Sequence, residues 1–308
     1  MSVSGRWDGC AVLARESEES LRGTAARADG WLLIEHRGPW GLEPLGPDGP
    51  LGRTGVELVR RCAASGVRPQ LVRDPHRTRE HSDVRKAFLV HSGRSGPWIE
   101  QYTFDSVDQL LELNVESAST STAPGHGTPV ELPLYLVCTH GKKDPCCAVF
   151  GRPVALSLNR HRGRVWESTH LGGDRFAAGM VALPEGSYYG NLTPTNAQAV
   201  VDRHDCGQLT MEHYRGRCSD PPAVQIAEHA VRTRYGITGI DDVRPTAVTS
   251  SGVGQDVVVS TASGLVHVHV APAPEAARRT TCRSLTSTVP DHGIVTFSDS
   301  AFDAAPTY

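Results

Sequence analysis

Short apolar runs of strand length alternate with helix-like stretches through the first two thirds of the chain. The runs at 31–36 (WLLIEH), 86–92 (KAFLVHS) and 97–104 (PWIEQYTF) are rich in the large apolar residues that favour strands. Residues 55–65 have the spacing of an amphipathic helix, and 66–74 (GVRPQLVRD) predicts another strand. A second series follows, with strands at 132–138, 164–169, 179–184 and 187–192 and helices at 148–159, about 173–178 and 194–202.

Both series have the same order of elements, a strand–helix–strand unit followed by a hairpin and a closing helix. This is the order of a thioredoxin-like domain, so the chain is predicted to be an α/β protein with two such units in tandem. From residue 242 on, short alternating strands separated by Gly, Ser and Pro predict a small C-terminal antiparallel β appendage. The predicted domains are a degenerate thioredoxin-like unit without ligand residues at 1–115, a linker at 116–130, a second thioredoxin-like unit at 131–207, and a helix with antiparallel strands at 208–308.

Two shorter helices are predicted in the first unit. The acidic stretch 16–28 (ESEESLRGTAARA) predicts a helix in which Glu18 and Arg22, four residues apart, support each other. The stretch 106–113 (SVDQLLEL) predicts a closing helix with Ser106 as its N-cap.

Composition and charge narrow the class of protein. A chain of 308 residues with 39% hydrophobic residues is long enough for one large domain or two. Its formal net charge of −3 argues against general nucleic-acid binding. No apolar run reaches the roughly 18 residues of a membrane span, and MSVSGRWDGC at the N-terminus lacks the apolar core of a signal peptide. We therefore expect a cytoplasmic protein with no membrane and no nucleic acid among its partners.

Eight cysteines, at positions 10, 62, 138, 146, 147, 206, 218 and 282, are spread over the whole chain. In a cytosolic protein they are expected to be free thiols or metal ligands and not a disulfide framework. Cys62 fits the apolar face of a helix, and Cys206 and Cys218 are expected to be buried or incidental thiols. The group at 138–147 has a spacing that suits metal ligands.

Soft and borderline metal ligands follow two successive predicted strands of the second unit. Cys138 ends the first strand, Cys147 follows it after eight residues, and His170 and Asp174 follow the next strand on a Gly-Gly turn. Zinc fingers and ribbons prefer two to four residues between paired cysteines, so the longer gap suits a two-iron cluster better than a single ion. His170 and Asp174, four residues apart, can bind one metal from the same side.

Four sequence motifs resemble those of a known family. They are CTHGKKDPCC (138–147), VWESTHLGGDRFA (165–177), LPEGSYYG (183–190) and WLLIEHRGPWG (31–41), and together they resemble the sucrase/ferredoxin-like family, whose core is a thioredoxin-like ferredoxin domain. The resemblance implies a [2Fe–2S] cluster, held in the characterised branch of the family by two Cys and by the two His of an H-x-x-x-H motif. Carried over, these ligands fall on Cys138, Cys147 and His170, and the ferredoxin domain falls on 131–207. His140 matches the family motif but is not, on the resemblance, a ligand.

The second histidine of the family motif falls on Asp174, and here the chain departs from the family. A carboxylate can bind iron, but it is harder than imidazole and negatively charged, so it should favour the ferric state and lower the reduction potential. Three outcomes are open at this stage: Asp174 is the fourth ligand, Cys146 replaces it as a third thiolate, or the cluster is labile or absent. We favour Asp174 because it keeps the register of the motif.

The sequence therefore predicts a ferredoxin-like electron-transfer or redox-sensing protein that exchanges electrons with a redox partner protein, and it favours an electron carrier over an enzyme. A paired-carboxylate hydrolase site is not visible. Two alternatives are a cluster-free thiol oxidoreductase that uses Cys146 or Cys147, and an interaction module stabilised by zinc at the same four positions. The alternating His267 and His269 predict a solvated strand face and not a metal site.

Overall fold

The first half of the protein is a four-stranded β-α-β-β-β unit. The computed structural model describes residues 8–76, 83–284, 286–290 and 293–298. After a short N-terminal helix, β1 pairs parallel to β2 and antiparallel to β3, and β3 pairs antiparallel to β4, which gives the strand order β2-β1-β3-β4. The elements are α1 (Cys10–Glu16), β1 (Gly30–Glu35), α2 (Gly52–Ala64), β2 (Val67–Arg73), β3 (Arg85–His91), β4 (Trp98–Phe104) and β5 (Thr128–Pro129).

The second half repeats this pairing. The strand β6 is parallel to β7 and antiparallel to β8, and β8 pairs antiparallel to β9, which gives the equivalent order β7-β6-β8-β9. The elements are β6 (Leu134–Cys138), α3 (Pro145–Ser157), β7 (Val165–Ser168), β8 (Met180–Leu183), β9 (Ser187–Tyr189), α4 (Ala197–Asp205) and β10 (Tyr214–Arg217). The two predicted thioredoxin-like units are thus confirmed by strand order and direction.

The two units share one sheet. The strand β2 of the first unit pairs antiparallel with β7 of the second, with Val72 opposite Ser168 and Arg73 opposite Glu167. The result is a ten-stranded sheet in the order β10-β9-β8-β6-β7-β2-β1-β3-β4-β5. At this seam the fully buried Glu167 carboxylate accepts hydrogen bonds from Arg73 of the first unit and, at 3.0 Å, from Arg152 on α3. The ion pairs therefore join the sheet of one unit to the sheet and helix of the other.

The predicted C-terminal antiparallel appendage is also confirmed. A four-stranded sheet in the order β11-β12-β13-β16 packs its valine face on α5, and a separate pair is formed by β14 and β15. The elements are α5 (Pro222–Tyr235), β11 (Arg244–Ser251), β12 (Gly254–Thr261), β13 (Gly264–Ala271), β14 (Glu275–Arg278), β15 (Ser287–Pro290) and β16 (Ile294–Ser298).

Two predicted helices of the first unit differ in the structure, and in the second unit the helix predicted at about 173–178 is a short 3-10 helix, Asp174–Phe176. The prediction of a helix at 16–28 is wrong. The helix α1 ends at the start of this stretch, and Glu18 and Gly23 within it both have positive φ. The reason is tertiary, because buried Glu19 accepts from Arg175 at 2.7 Å and lies 3.1 Å from Arg278, and these ion pairs outweigh helix propensity. The closing helix forms as a 3-10 helix, Val107–Glu112, and a second one, Val115–Ser119, follows it.

The predicted domain boundaries stay predictions. Among the described residues, no helix is long and apolar enough to cross a membrane. The expectation that the N-terminus lacks a signal peptide concerns residues 1–10. Residues 1–7 of this stretch lie outside the described residues.

Replacing Glu167 with Gln should weaken the seam between the two units. The substitution leaves the Arg73 guanidinium without its buried counter-charge, which should lower the free energy of unfolding by about 3 kcal/mol, or Tm by roughly 5 °C. Thermal unfolding checks this. The control Glu57→Gln removes the exposed ion pair with Arg60 and should leave the free energy of unfolding nearly unchanged. Equal effects of the two substitutions would contradict the seam's role.

Candidate metal centre

The structure brings the four predicted site residues together at the carboxyl end of β6. The thiols of Cys138 and Cys147 and one ring nitrogen of His170 all lie within 4.8 Å of one another. Asp174 completes the group, since its Oδ1 accepts from Cys147 Sγ at 3.1 Å and lies 2.9 Å from His170 Nδ1. These four residues, 36 positions apart at the extremes of the sequence, therefore form one side-chain cluster, which we call the β6 centre.

The amino end of α3 sets the position of Cys147. Asp144 is the N-cap, and its carboxylate accepts from the Cys146 N–H at 2.9 Å, while Pro145 occupies the first turn. Gly151 lies against the end of β6, where an added Cβ would be 2.0 Å from the Cys138 carbonyl oxygen. Only a residue without a side chain fits there, so the first turn of α3 can seat directly on β6. A helix amino end also favours thiolate through its dipole.

The loop that carries His170 and Asp174 is held from both sides. Gly172 and Gly173 have φ of +97° and +79°, the left-handed region that favours glycine. The buried Arg215 donates to the Gly172 carbonyl at 3.1 Å. From the first unit, Arg68 donates to the His170 carbonyl at 2.9 Å. The turn predicted from the Gly-Gly sequence is thus fixed by two cations, one on β10 and one on β2.

The electrostatics of the β6 centre favour one thiolate beside a protonated imidazole. A hydrogen bond from the Cys147 thiol, with a contribution from His170, holds the pKa of Cys138 well below its usual value despite burial. The same bond and burial raise the pKa of Cys147. Burial alone would lower the pKa of His170, but its contacts with Asp174 and Cys138 outweigh burial and raise that pKa to about 9.

His170 is the exposed edge of the β6 centre. Its side chain is 27% exposed, whereas that of Asp174 is 3% exposed, and both cysteines are buried. Beside it runs an open groove lined by His140, Lys143 and residues 42–46 of the first unit. His140 itself lies apart from the four donors, with its Nε2 2.7 Å from the Gly41 carbonyl oxygen.

The donor set fits a metal group of the iron–sulfur kind. Thiols and imidazole are the ligands that such sites use, and a carboxylate is a harder ligand that can also bind iron. His170 Nδ1 is buried and lies 2.9 Å from Asp174 Oδ1, so the imidazole and the carboxylate face each other within the β6 centre. The close approach of the donors is also compatible with one ion.

Cys146 lies elsewhere. Its side chain joins those of Cys10, Asp144 and Cys282 in a second group whose donor atoms lie within 4.8 Å of one another. Sequence reasoning missed this group, because its members come from both ends of the chain and from α3, with no local spacing to signal it.

The remaining candidates are dispersed. Cys62 and Cys218 are buried, and Cys206 is exposed. His269 has a partner that was not foreseen, since its Nδ1 lies 2.6 Å from Asp256 Oδ1 on the neighbouring strand.

Comparison with known proteins gives a family match over most of the chain. A family model described as Sucrase/ferredoxin-like matches residues 21–216. The curated protein "Altered inheritance of mitochondria protein 32" of Meyerozyma guilliermondii is 28% identical over 95 residues, which are 27% of this chain and 34% of that protein. The chain thus matches about a third of the length of this relative.

One solved structure is similar over part of the chain. It is a thioredoxin-like [2Fe–2S] ferredoxin from Aquifex aeolicus, with 17% identity, coverage of 30% of this chain and 97% of that one, and a TM-score of 0.27. A likeness at that TM-score supports neither the fold nor the function of this protein.

Replacing Gly151 with Ala should push α3 away from β6. The added methyl group would overlap the Cys138 carbonyl, so we expect a loss of about 1–3 kcal/mol in the free energy of unfolding and faster alkylation of Cys138 in the metal-free protein. Thermal unfolding and mass-spectrometric mapping of alkylated thiols measure the two effects. Val149→Ala, on the exposed side of the same helix, is the control and should be nearly neutral. Unchanged alkylation in Gly151→Ala would contradict the proposed contact.

Proposed function

The chain belongs to the sucrase/ferredoxin-like family, and on that premise we propose that it binds one [2Fe–2S] cluster and serves as an electron-transfer or redox-sensing protein. The observation that carries the proposal is the meeting of Cys138, Cys147, His170 and Asp174 at one point. We propose that the two cysteines hold one iron and that His170 and Asp174 hold the other. A bound cluster of this kind supplies one-electron chemistry.

The protein's own residues would tune such a site through charge. Two thiolates and the Asp174 carboxylate bring three negative charges into a buried region, where charge is costly unless it is compensated. The amino end of α3 supplies a partial positive charge, and the buried Arg215 and the partly buried Arg68 lie against the loop on the other side. These groups favour the deprotonated ligands that a metal requires.

His170 would serve as the route between the site and its partner. It is the most exposed of the four residues, and the groove with Lys143 and residues 42–46 lies beside it. An electron carrier needs a redox partner protein, and we propose that this partner docks over the groove. Cross-links to a purified partner that all lie away from Lys143 would contradict this docking side. Because imidazole can hold or release a proton, His170 also offers a means of coupling electron transfer to pH.

The anaerobically purified protein should contain about two irons and two acid-labile sulfides per chain, as a [2Fe–2S] cluster requires. Dithionite reduction should produce an electron paramagnetic resonance signal. Cys147→Ser should lose the iron, the sulfide and the signal, because it removes one of two thiolates. The control Cys206→Ser, which changes an exposed thiol outside the centre, should keep all three.

An iron-free protein with zinc at the β6 centre would overturn this proposal. So would a protein in which Cys147→Ser abolishes disulfide turnover without any change in metal content, the result expected of a thiol oxidoreductase.

Asp174→His should raise the reduction potential of the cluster if Asp174 is a ligand, because a neutral imidazole stabilises the ferric state less than a carboxylate does. Potentiometric titration followed by electron paramagnetic resonance measures the potential. The control Asp202→His changes a half-exposed carboxylate that pairs with Arg160 and should leave the potential unchanged. An unshifted potential in Asp174→His would point to a different fourth ligand.

A further inference from the structure

Three thiols from distant parts of the chain meet behind the β6 centre. The Sγ–Sγ distances are 3.6 Å between Cys10 and Cys146, 3.3 Å between Cys146 and Cys282, and 3.6 Å between Cys10 and Cys282. Cys10 and Cys146 are fully buried and Cys282 is partly buried. Cys10 begins α1, Cys146 lies in the first turn of α3, and Cys282 follows β14, so the site joins three separate segments.

The distances between the sulfur atoms suit a single tetrahedral ion. A disulfide would need a sulfur–sulfur distance of about 2.05 Å. Zinc–sulfur bonds of about 2.3 Å in a tetrahedron separate neighbouring sulfur atoms by about 3.8 Å. The three observed distances are close to the second value and far from the first, and each sulfur is about equally far from the other two. A triangle of this size leaves room for an ion above its plane.

The backbone around the three thiols is arranged as it is around bound thiolates. The Cys10 N–H donates to Cys282 Sγ at 3.3 Å, and the Ala11 N–H donates to Cys146 Sγ at 3.4 Å. Such N–H···S bonds stabilise negative sulfur and hold it in position. Three mutually touching neutral thiols would gain much less from them.

Asp144 supplies a fourth donor. Both of its carboxylate oxygens lie 3.8 Å from Cys10 Sγ, and the side chain is completely buried. One oxygen accepts from the Cys146 N–H at 2.9 Å and the other from the Cys282 N–H at 2.6 Å. These two bonds fix the orientation of the carboxylate and leave lone pairs for a cation.

We propose that Cys10, Cys146, Cys282 and Asp144 bind one zinc ion, in a structural site that is separate from the β6 centre. Three thiolates and a carboxylate carry four negative charges, which a buried region tolerates only with a cation among them. Thiolate-rich tetrahedral sites select zinc among the common divalent metals. The ion would fasten α1 and the segment after β14 to the amino end of α3, and it would link Cys10 to Cys282, which are 272 positions apart in the sequence.

The site shares no donor atom with the β6 centre. Cys146 and Cys147 are neighbours in the first turn of α3, but they point to different groups. Substitutions can therefore remove the metal from one site at a time. The zinc proposal and the cluster proposal can then be contradicted separately, because zinc content tests the first and iron content tests the second.

The test is metal analysis of the full-length protein, prepared with zinc and iron in the medium. The wild type should hold about one zinc per chain that resists mild chelators and is released by a mercurial reagent that captures thiolates. Cys282→Ser should lose that zinc and keep its iron, whereas Cys138→Ser should lose iron and keep its zinc. Cys206→Ser should change neither metal. Cys282 is the preferred site for substitution because it lies on a partly exposed segment, and circular dichroism verifies that the variant is folded.

Cobalt gives a spectroscopic readout of the coordination at this site. Protein refolded with Co²⁺ should show the thiolate-to-cobalt charge-transfer absorption of a tetrahedral site, weaker in Cys282→Ser and retained in Cys206→Ser. A wild type that holds no zinc after refolding with it, zinc that is unaffected by Cys282→Ser, or iron in place of zinc at this site would each overturn the proposal.

Discussion

The seating of α3 on the end of β6 is the contact on which both candidate sites depend. Because Gly151 has no side chain, the backbone of the helix can lie directly against the Cys138 carbonyl group. Asp144 fixes the residue at which the helix begins. With the first turn held in that position, the adjacent Cys146 and Cys147 must project in different directions. One thiol then meets Cys138, and the other meets Cys10 and Cys282. A rotation of the helix would disorganise both groups at once.

The described part of the first thioredoxin-like unit contacts the loop of the β6 centre but supplies none of the centre's four residues. Its strand β2 supplies Arg68, which holds the His170 carbonyl, and Gln70, whose Oε1 accepts from Thr169 Oγ1 at 2.5 Å. Its loop at 42–46 forms part of the groove beside His170. The first unit can therefore have a structural role, because the loop that carries His170 needs a rigid surface against which to pack.

The sequence could predict what depends on local pattern. Apolar periodicity placed the strands of both units, and residues that follow strand ends, such as Cys138 and His170, converge because parallel neighbours end at the same edge of a sheet. The position of Asp174 followed from the Gly-Gly turn. The acidic stretch 16–28 was predicted incorrectly because a buried ion pair of Glu19 with Arg175 is a tertiary contact with no trace in helix propensity. The group around Cys10 and Cys282 was missed for the same reason, since no spacing rule links residues 272 positions apart.

The antiparallel pairing of β2 with β7 has a consequence for solubility. Each unit built alone would present this strand as an open edge, with unpaired N–H and C=O groups that can recruit a strand from another molecule. In the intact chain the ends of the two edges pair with each other, Val72 with Ser168 and the charged Arg73 with Glu167. A fragment cut between the units would be exposed to edge-to-edge aggregation, whatever the state of its metal sites. Pairing of the two units within one molecule therefore reduces the exposed strand edge that another molecule could bind.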